Sequence, residues 1–258
     1  MLYDPQKWLI KTKFMATNPM HQFEVHKIGP SLSINGIDIS FTNSSLFMMI
    51  SSILIITFFV LGTKKISIVP GKIQILNELV FNFISKMINE TVGNDAKPYF
   101  PFILTLFIFI LTMNMIGLLP YSFTVTSQVI VTFFFAIVIF IGVTIVGFAK
   151  NGLGFLKIFV PSGIPVFLLP LLVVIEIISF LSRPISLSVR LFANMLAGHT
   201  MLKVFGGFVV SLGILGGWLP LSFSVALTAL EILVAFLQAY VFAVLSCIYL
   251  NDALHMHH

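Results

Sequence analysis

The sequence predicts an all-α, polytopic membrane protein with about five spans plus a surface amphipathic helix. Three observations predict this fold class. Of the 258 residues 58% are hydrophobic, only 9% are charged, and long uncharged runs give a mean hydropathy of +1.08. A soluble domain carries roughly 25% charged residues. This composition therefore excludes a soluble globular fold.

The remaining composition excludes several classes of function. The net charge of +5 indicates membrane sidedness rather than nucleic-acid binding, because the basic residues form no cluster or binding motif. The single cysteine, Cys247, excludes an internal disulfide and a thiolate metal cluster, and we expect it to be a small buried side chain. No apolar run follows Lys11 and Lys13 before residue 46, so we expect no cleavable signal peptide.

The polar residues 1–44 are predicted to be an extramembrane segment, and residues 45–258 a membrane domain. The first span, 46–62, is uncharged and long enough to cross a bilayer. Residues 71–92 instead alternate apolar and polar side chains at helical spacing, which predicts an amphipathic helix on the membrane surface. Its apolar positions are Ile73, Leu76, Val80, Phe83 and Met87.

Two further spans, 99–119 and 127–149, are joined by the short turn PYSFTVTS, and two unusual apolar stretches follow at 166–202 and 219–250. The last stretch would run about 48 Å as a helix, against a hydrocarbon core of about 30 Å. We therefore predict a hairpin of two long, steeply tilted helices over 164–252.

Glycines between Gly206 and Gly217, with Pro220, are expected to form the turn of this hairpin. An alternative splits 166–202 into two short spans at Pro184. Lysines fall between 63 and 98 and again between 149 and 157, which places those segments inside. The N-terminus is then outside and the C-terminus inside.

The only two arginines, Arg183 and Arg190, lie within the first long stretch. A guanidinium stays charged at physiological pH, and a charge within a span marks an ion path or a paired site. Spacings of seven place Glu176, Arg183 and Arg190 on nearly one stripe, which Asn194 extends. His199 lies about half a turn from Arg190 and so faces elsewhere.

The polar side chains of the hairpin form two patches with Arg190 between them. The inner patch consists of Glu176, Ser179, Ser182 and Ser186; the outer patch consists of Asn194, His199, Glu231 and Gln238. Glu231 and Gln238 share one face of the last helix. Because neither patch crosses the membrane alone, the pattern predicts an interrupted aqueous path that hands protons to a mobile third party.

Structural interpretations compete with this hypothesis. Glu176 and Arg183 are compatible with an ion pair between helices, and His199 with a hydrogen bond between helices. Asn114 is expected to make a helix–helix hydrogen bond rather than to line a path. Arg190 has no carboxylate at i±3 or i±4, so its partner is expected on another chain.

Several segments resemble the signature of subunit a of F-type ATP synthases. The most specific are SLSVRLFANMLAGH (186–199) and LEILVAFLQAYVF (230–242). FTNSSLF (41–47), NMIGLLPYSFTVTS (114–127), VTIVGF (143–148) and LNDAL (250–254) are also similar, so the resemblance covers the chain from about residue 18 onward. In many bacterial members the positions of His199 and Glu231 carry glutamate and histidine, in that order. The reverse order found here is typical of alphaproteobacterial and mitochondrial members.

The resemblance implies a role for each patch. Arg190 would face the rotating c-ring, attract its ionised carboxylate and block a proton leak. The outer patch would be the outer half-channel and the inner patch the inner one. Apart from the resemblance, the spacing of Arg183 from Glu176 and its place beside Pro184 favour a structural role for Arg183. The partners implied are the c-ring, the peripheral-stalk b subunits, the rest of the synthase and the lipid bilayer.

The transported ion implied is H⁺, with no cofactor, no metal and no nucleotide site in this chain. The resemblance implies location in a bacterial inner membrane, with the mitochondrial inner membrane as the alternative. A rival function is a self-contained proton or cation channel or a proton-coupled transporter. That rival predicts internal repeats, which the sequence does not show.

Overall fold

A computed structural model describes most of the chain: residues 22–28, 33–34, 37–38, 40–64, 67, 69–119, 122–160 and 167–255. Most of these residues are in six α-helices: α1 (Asn43–Thr63), α2 (Lys72–Thr91), α3 (Phe100–Gly117), α4 (Val129–Asn151), α5 (Leu169–Gly216) and α6 (Trp218–Leu254). Shorter elements connect them: 3-10 helices Asn94–Tyr99, Val125–Ser127 and Gly152–Phe159, and an antiparallel pair of two-residue strands, β1 (Ser33–Ile34) and β2 (Ile37–Asp38).

The all-α polytopic fold class is confirmed. Among the described residues, five helical segments are long and apolar enough to cross a membrane: Asn43–Thr63, Asp95–Gly117, Val129–Leu156, Leu169–Gly213 and Trp218–Leu254. They correspond to the predicted spans in order. The amphipathic helix α2 is not among them, which agrees with its predicted exclusion from the spans.

A capping box sets the start of α1. The hydroxyl of Thr42 accepts a hydrogen bond from the Ser45 N–H at 3.4 Å, and the Thr42 N–H donates to the Ser45 hydroxyl at 3.0 Å. Two of the otherwise free N–H groups at the helix N-terminus are thereby satisfied. The helix therefore begins at Asn43, three residues before the predicted span.

One face of α2 packs against the protein. Ile84 and Met87 are buried in the core, and the Asn77 amide donates to the Phe58 carbonyl of α1 at 3.3 Å. Leu76 and Leu79 remain more than half exposed on another face. This open apolar face is suited to lipid contact, and the placement of α2 on the membrane surface remains a prediction.

The predicted hairpin of two long helices is confirmed, and its turn lies in the second half of the predicted glycine segment, at Gly213–Gly217. α5 runs 48 residues, through Pro184, so the alternative of a break at that proline is wrong. Gly206 and Gly207 are helical, and the chain leaves helical geometry only at Gly213 (φ 64, ψ −160). A positive φ of this kind favours glycine, whereas glycines inside a helix cost only about 1 kcal/mol each.

The centre of the bundle is formed by α3 and α6. Within the most apolar stretch of each candidate span, 44% of residues are buried in Asp95–Gly117 and 39% in Trp218–Leu254, against 11% in Asn43–Thr63. Phe107, Ile110 and Phe242 are fully buried here. The outer helices α1, α4 and α5 therefore present wide apolar faces to lipid or to partner subunits.

The predicted helix–helix hydrogen bond of Asn114 is present at this centre. Its side-chain amide donates to the Ala235 carbonyl of α6 at 3.2 Å, and Asn114 is fully buried. The bond joins the two most buried helices.

Replacing Asn114 by Ala removes this bond, so we expect the free energy of unfolding to fall by about 1 kcal/mol. Thermal unfolding of the detergent-solubilised protein measures the change. Thr105→Ala on the same helix is the control, because the Thr105 hydroxyl bonds only the Pro101 carbonyl of its own helix. Equal stability of the two variants would contradict the assignment.

Candidate functional site in the α5–α6 hairpin

Two opposite faces of α5 carry different kinds of side chain. The face packed against neighbouring helices is buried and consists of Leu187, Ser188, Leu191, Met195 and His199. The open face is exposed and carries Ser186, Arg190, Ala193, Asn194 and Ala197. Each set recurs at intervals of three or four residues. His199 and Arg190 therefore point to different sides of the helix, as their spacing predicts.

Arg190 has no counter-charge within the described part of the chain. Its guanidinium makes no hydrogen bond or salt bridge with any residue there, whereas Arg183 on the same helix is paired. An unpaired cation at membrane depth is costly. The small side chains of Ala193 and Ala197 beside it leave room for another helix to approach.

His199 and Glu231 meet between α5 and α6. The His199 Nδ1 atom lies 2.6 Å from Glu231 Oε1, and their side chains are only 10% and 5% exposed. The two atoms lie within ion-pair distance without the geometry of a directed hydrogen bond, and the contact is a charge pair only when His199 is protonated. Both carboxylate oxygens of Glu231, and His199 Nε2, lack a hydrogen-bond partner among the described residues. Buried polar atoms of this kind usually bind water.

A second pair joins the open face of α5 to the buried face of α6. The Asn194 amide donates to Gln238 Oε1 at 2.9 Å, and Gln238 is 4% exposed. Asn194 is one helical turn from Arg190, and Gln238 is about 10 Å along α6 from Glu231. The Asn194–Gln238 pair thus lies between the buried His199–Glu231 pair and the exposed face of Arg190 along the helices, without direct contact to His199 or Glu231 among the hydrogen bonds of the described residues.

Glu231 rests directly against the backbone of α5 at Gly198. A Cβ atom at Gly198 would lie 2.6 Å from Glu231 Oε1, closer than real Cβ contacts allow. Glycine at this position therefore permits the carboxylate to reach His199 one residue further along.

The predicted inner patch does not form a cluster. Glu176 is half-buried, Ser179, Ser182 and Ser186 are exposed, and no hydrogen bond joins their side chains. The Ser182 hydroxyl donates to the Ser179 carbonyl of its own helix at 2.7 Å. These residues lie along α5 before Arg190. A proton path along them would need a second wall, which only a partner surface could provide.

The proposed ion pair between Glu176 and Arg183 is wrong. Arg183 Nη1 instead donates to Asp252 Oδ2 of α6 at 3.1 Å, and its guanidinium carbon lies 5.0 Å from the ring centre of Tyr249. The charge of Arg183 is thereby neutralised between α5 and α6, which fits a structural role. Glu176 makes no ion pair with the described residues.

Sequence reasoning missed three contacts near this site. Asp252 lies in the LNDAL segment, but its pairing with Arg183 requires knowing that the two helix ends meet. The Ser188 hydroxyl lies 3.1 Å from that of Thr132 on α4, and both are buried. Phe23, from the N-terminal segment, stacks on His199. Nothing in the local sequence indicates these partners.

Two other expectations concern metals and the cysteine. Within the part of the chain that the structure describes, no group of three His, Cys, Asp or Glu side chains is placed to hold a metal ion. Cys247 is fully buried, as predicted.

Comparison with known proteins assigns the family. The family model described as ATP synthase A chain matches residues 45–251. An ATP synthase subunit a from Pelagibacter ubique (strain HTCC1062) is 70% identical over 244 residues, covering 95% of this chain and 100% of the relative. The subunit a of Rhizobium rhizogenes (strain K84) is 57% identical, covering 93% and 98%, and that of Maricaulis maris (strain MCS10) is 54% identical, covering 94% and 99%. The described part of the chain has five helices able to span a membrane, and the chain belongs to the subunit a family of F-type ATP synthases, as a membrane component of that complex.

Proposed function

We propose that the chain is the proton-translocating stator of the membrane sector, and that its two offset half-channels serve the carboxylates of a rotating c-ring. One observation carries this proposal. The buried His199–Glu231 pair lies about two helical turns from Gln238, which accepts a hydrogen bond from Asn194 on the face where Arg190 has no partner among the described residues. The ionisable pair His199–Glu231 therefore lies on one side of a fixed cation, Arg190, on an open helix face. We infer that the outer proton path ends at this cation.

The outer half-channel begins at His199 and Glu231. Their buried contact at 2.6 Å allows a proton to pass between an imidazole and a carboxylate. Asn194 and Gln238 cannot titrate, so they act by orienting water and the arriving proton toward the c-ring carboxylate.

Arg190 supplies the electrostatic barrier between the half-channels. A guanidinium cannot lose its proton, so it repels a passing proton while attracting an ionised carboxylate. At about 4 Å and an effective dielectric constant of about 20, that attraction is worth about 4 kcal/mol. The ring carboxylate is then deprotonated opposite Arg190 and protonated elsewhere.

The inner half-channel follows the face of α5 that bears Glu176, Ser179, Ser182 and Ser186. These side chains are exposed or half-buried and do not bond to each other. We infer that the c-ring provides the opposite wall, so the exit path exists only in the assembled complex. A proton released from the ring would leave past Glu176.

The family and the relatives support a location and a set of partners. The relatives compared above are bacterial, which favours the bacterial inner membrane over the mitochondrial one. We infer that the peripheral-stalk b subunits contact the open apolar faces of the outer helices. The ion carried is a proton, and we propose that the chain itself needs no cofactor.

Arg190→Ala is expected to abolish proton-driven ATP synthesis in the assembled complex and to raise passive proton leak, because the barrier is removed. Synthesis rate and leak are measured in membrane vesicles. Arg183→Lys is the matched control, since lysine keeps a cation beside Asp252; it should retain most activity. Normal synthesis by Arg190→Ala would overturn the mechanism.

Glu231→Gln keeps the size of the side chain but removes its proton-carrying group. We expect a several-fold slower ATP-driven proton uptake with normal assembly of the complex. Because the buried pair with His199 is lost, the slower step should appear in proton transfer rather than in nucleotide hydrolysis by the uncoupled enzyme. An unchanged proton rate would remove Glu231 from the path.

Gly198→Ala tests the position of the carboxylate without touching its chemistry. The new Cβ would force Glu231 to move, so we expect slower proton uptake although His199 and Glu231 are both present. Gly206→Ala is the control on the same helix, because nothing lies within 4 Å of a Cβ there. Equal rates for the two variants would contradict this geometry.

A further inference from the structure

A short N-terminal segment lies over His199. We call residues 22–28 the strap. The Phe23 ring stacks on the His199 ring with centroids 6.4 Å apart and an angle of 23° between the planes. His199 is 9% exposed. The strap thus helps to bury the ionisable group that begins the proposed outer half-channel.

One end of the strap is fastened to α4. The side-chain amide of Gln128 donates to the Phe23 carbonyl at 2.8 Å. Gln128 is the N-cap residue of α4, and its own carbonyl accepts from the Val131 and Thr132 N–H groups at 3.1 and 3.2 Å. This anchor is therefore part of a helix end, which fixes where Phe23 lies.

The other end is fastened to the start of α1. Asn43 Oδ1 accepts from the His26 N–H at 3.2 Å, and Asn43 Nδ2 donates to the Glu24 carbonyl at 3.2 Å. The Asn43 N–H donates to the His26 carbonyl at 3.0 Å, and the Ile28 N–H donates to the Phe41 carbonyl at 2.7 Å. Four hydrogen bonds thus hold the strap to residues 41–45, the segment FTNSS. The proposed proton path does not itself use this segment.

Unpartnered polar atoms occur in the three segments that meet at this place. Gln22 Nε2 in the strap, Thr126 Oγ1 in the turn before Gln128, and His199 Nε2 on α5 are all buried without a hydrogen-bond partner among the described residues. The 3-10 turn Val125–Ser127 packs on α5. Buried polar atoms that lack protein partners are usually satisfied by water.

We propose that the strap and the turn Val125–Ser127 form the entrance of the outer half-channel, with Phe23 as the positioning residue that covers His199. Water enters beside Gln22 and Thr126 and reaches His199 Nε2. A hydrated proton binds Nε2 while Nδ1 passes its proton to Glu231, so the ring is neutral before and after the transfer. This proposal rests on the proposed function.

Cysteine labelling of the assembled complex tests it. In a Cys247→Ala background, Phe23→Cys is treated with a cationic, water-soluble methanethiosulfonate reagent, and ATP-driven proton uptake is compared before and after labelling. We expect labelling to slow uptake several-fold. Leu119→Cys, just beyond the end of α3, is the matched control, because Leu119 lies outside the strap and outside the turn Val125–Ser127. Leu119 is 60% exposed, and its labelling should leave the rate unchanged.

Each outcome decides the proposal. Labelled Phe23→Cys with a normal rate would overturn it, as would failure of the reagent to reach this position from water, because an entrance must admit hydrated ions. Equal inhibition at Leu119→Cys would also overturn it. Arg190→Ala, measured in the same experiment, distinguishes failure of the proposed entrance from failure of the proposed function. If Arg190→Ala abolishes coupling while labelled Phe23→Cys has a normal rate, the proposed function stands and the entrance lies elsewhere.

Discussion

The cost of a charge in hydrocarbon is the constraint on which this hairpin depends. An ionisable side chain at membrane depth must be paired, hydrated or directed at a partner. Arg183 is paired with Asp252 and covered by Tyr249, and Glu231 lies against His199. Arg190 alone among these residues has neither an ion pair nor a hydrogen bond within the described chain. Its position on an open helix face is consistent with a counter-charge supplied by a neighbouring subunit.

The two arginines of α5 show how one residue type acquires two roles. Arg183 lies where the ends of α5 and α6 meet, and its salt bridge of 3.1 Å joins them. Arg190 lies two turns further along, where small side chains replace bulky ones on the same helix. A guanidinium held by an aspartate is not available to a moving carboxylate, whereas an unpaired one is. The salt bridge between α5 and α6 thus gives Arg183 a structural role, whereas the unpaired Arg190 remains available for the proposed function.

The outer patch is built from several parts of the chain. Gly198 lets Glu231 approach α5, Asn194 bonds to Gln238, and the strap brings Phe23 onto His199. By contrast, the inner patch is a row of exposed side chains on one helix, with no wall opposite. This difference suggests that the outer path is formed within the chain and the inner path only on assembly with the ring.

The sequence by itself determined the membrane class, the five spans, the long hairpin and the opposite orientations of Arg190 and His199, because hydropathy and helical spacing are local properties. It did not locate the turn at Gly213, since several glycines nearby are equally permissive and only one adopts a positive φ. It offered only Glu176 as a partner for Arg183: the actual partner, Asp252, is 69 positions away, and only the packing of α6 against α5 brings it there. The contacts of Glu231 with His199 and of Phe23 with His199 were likewise decided by tertiary structure, because which helices are neighbours depends on the packing of whole faces rather than on any single segment.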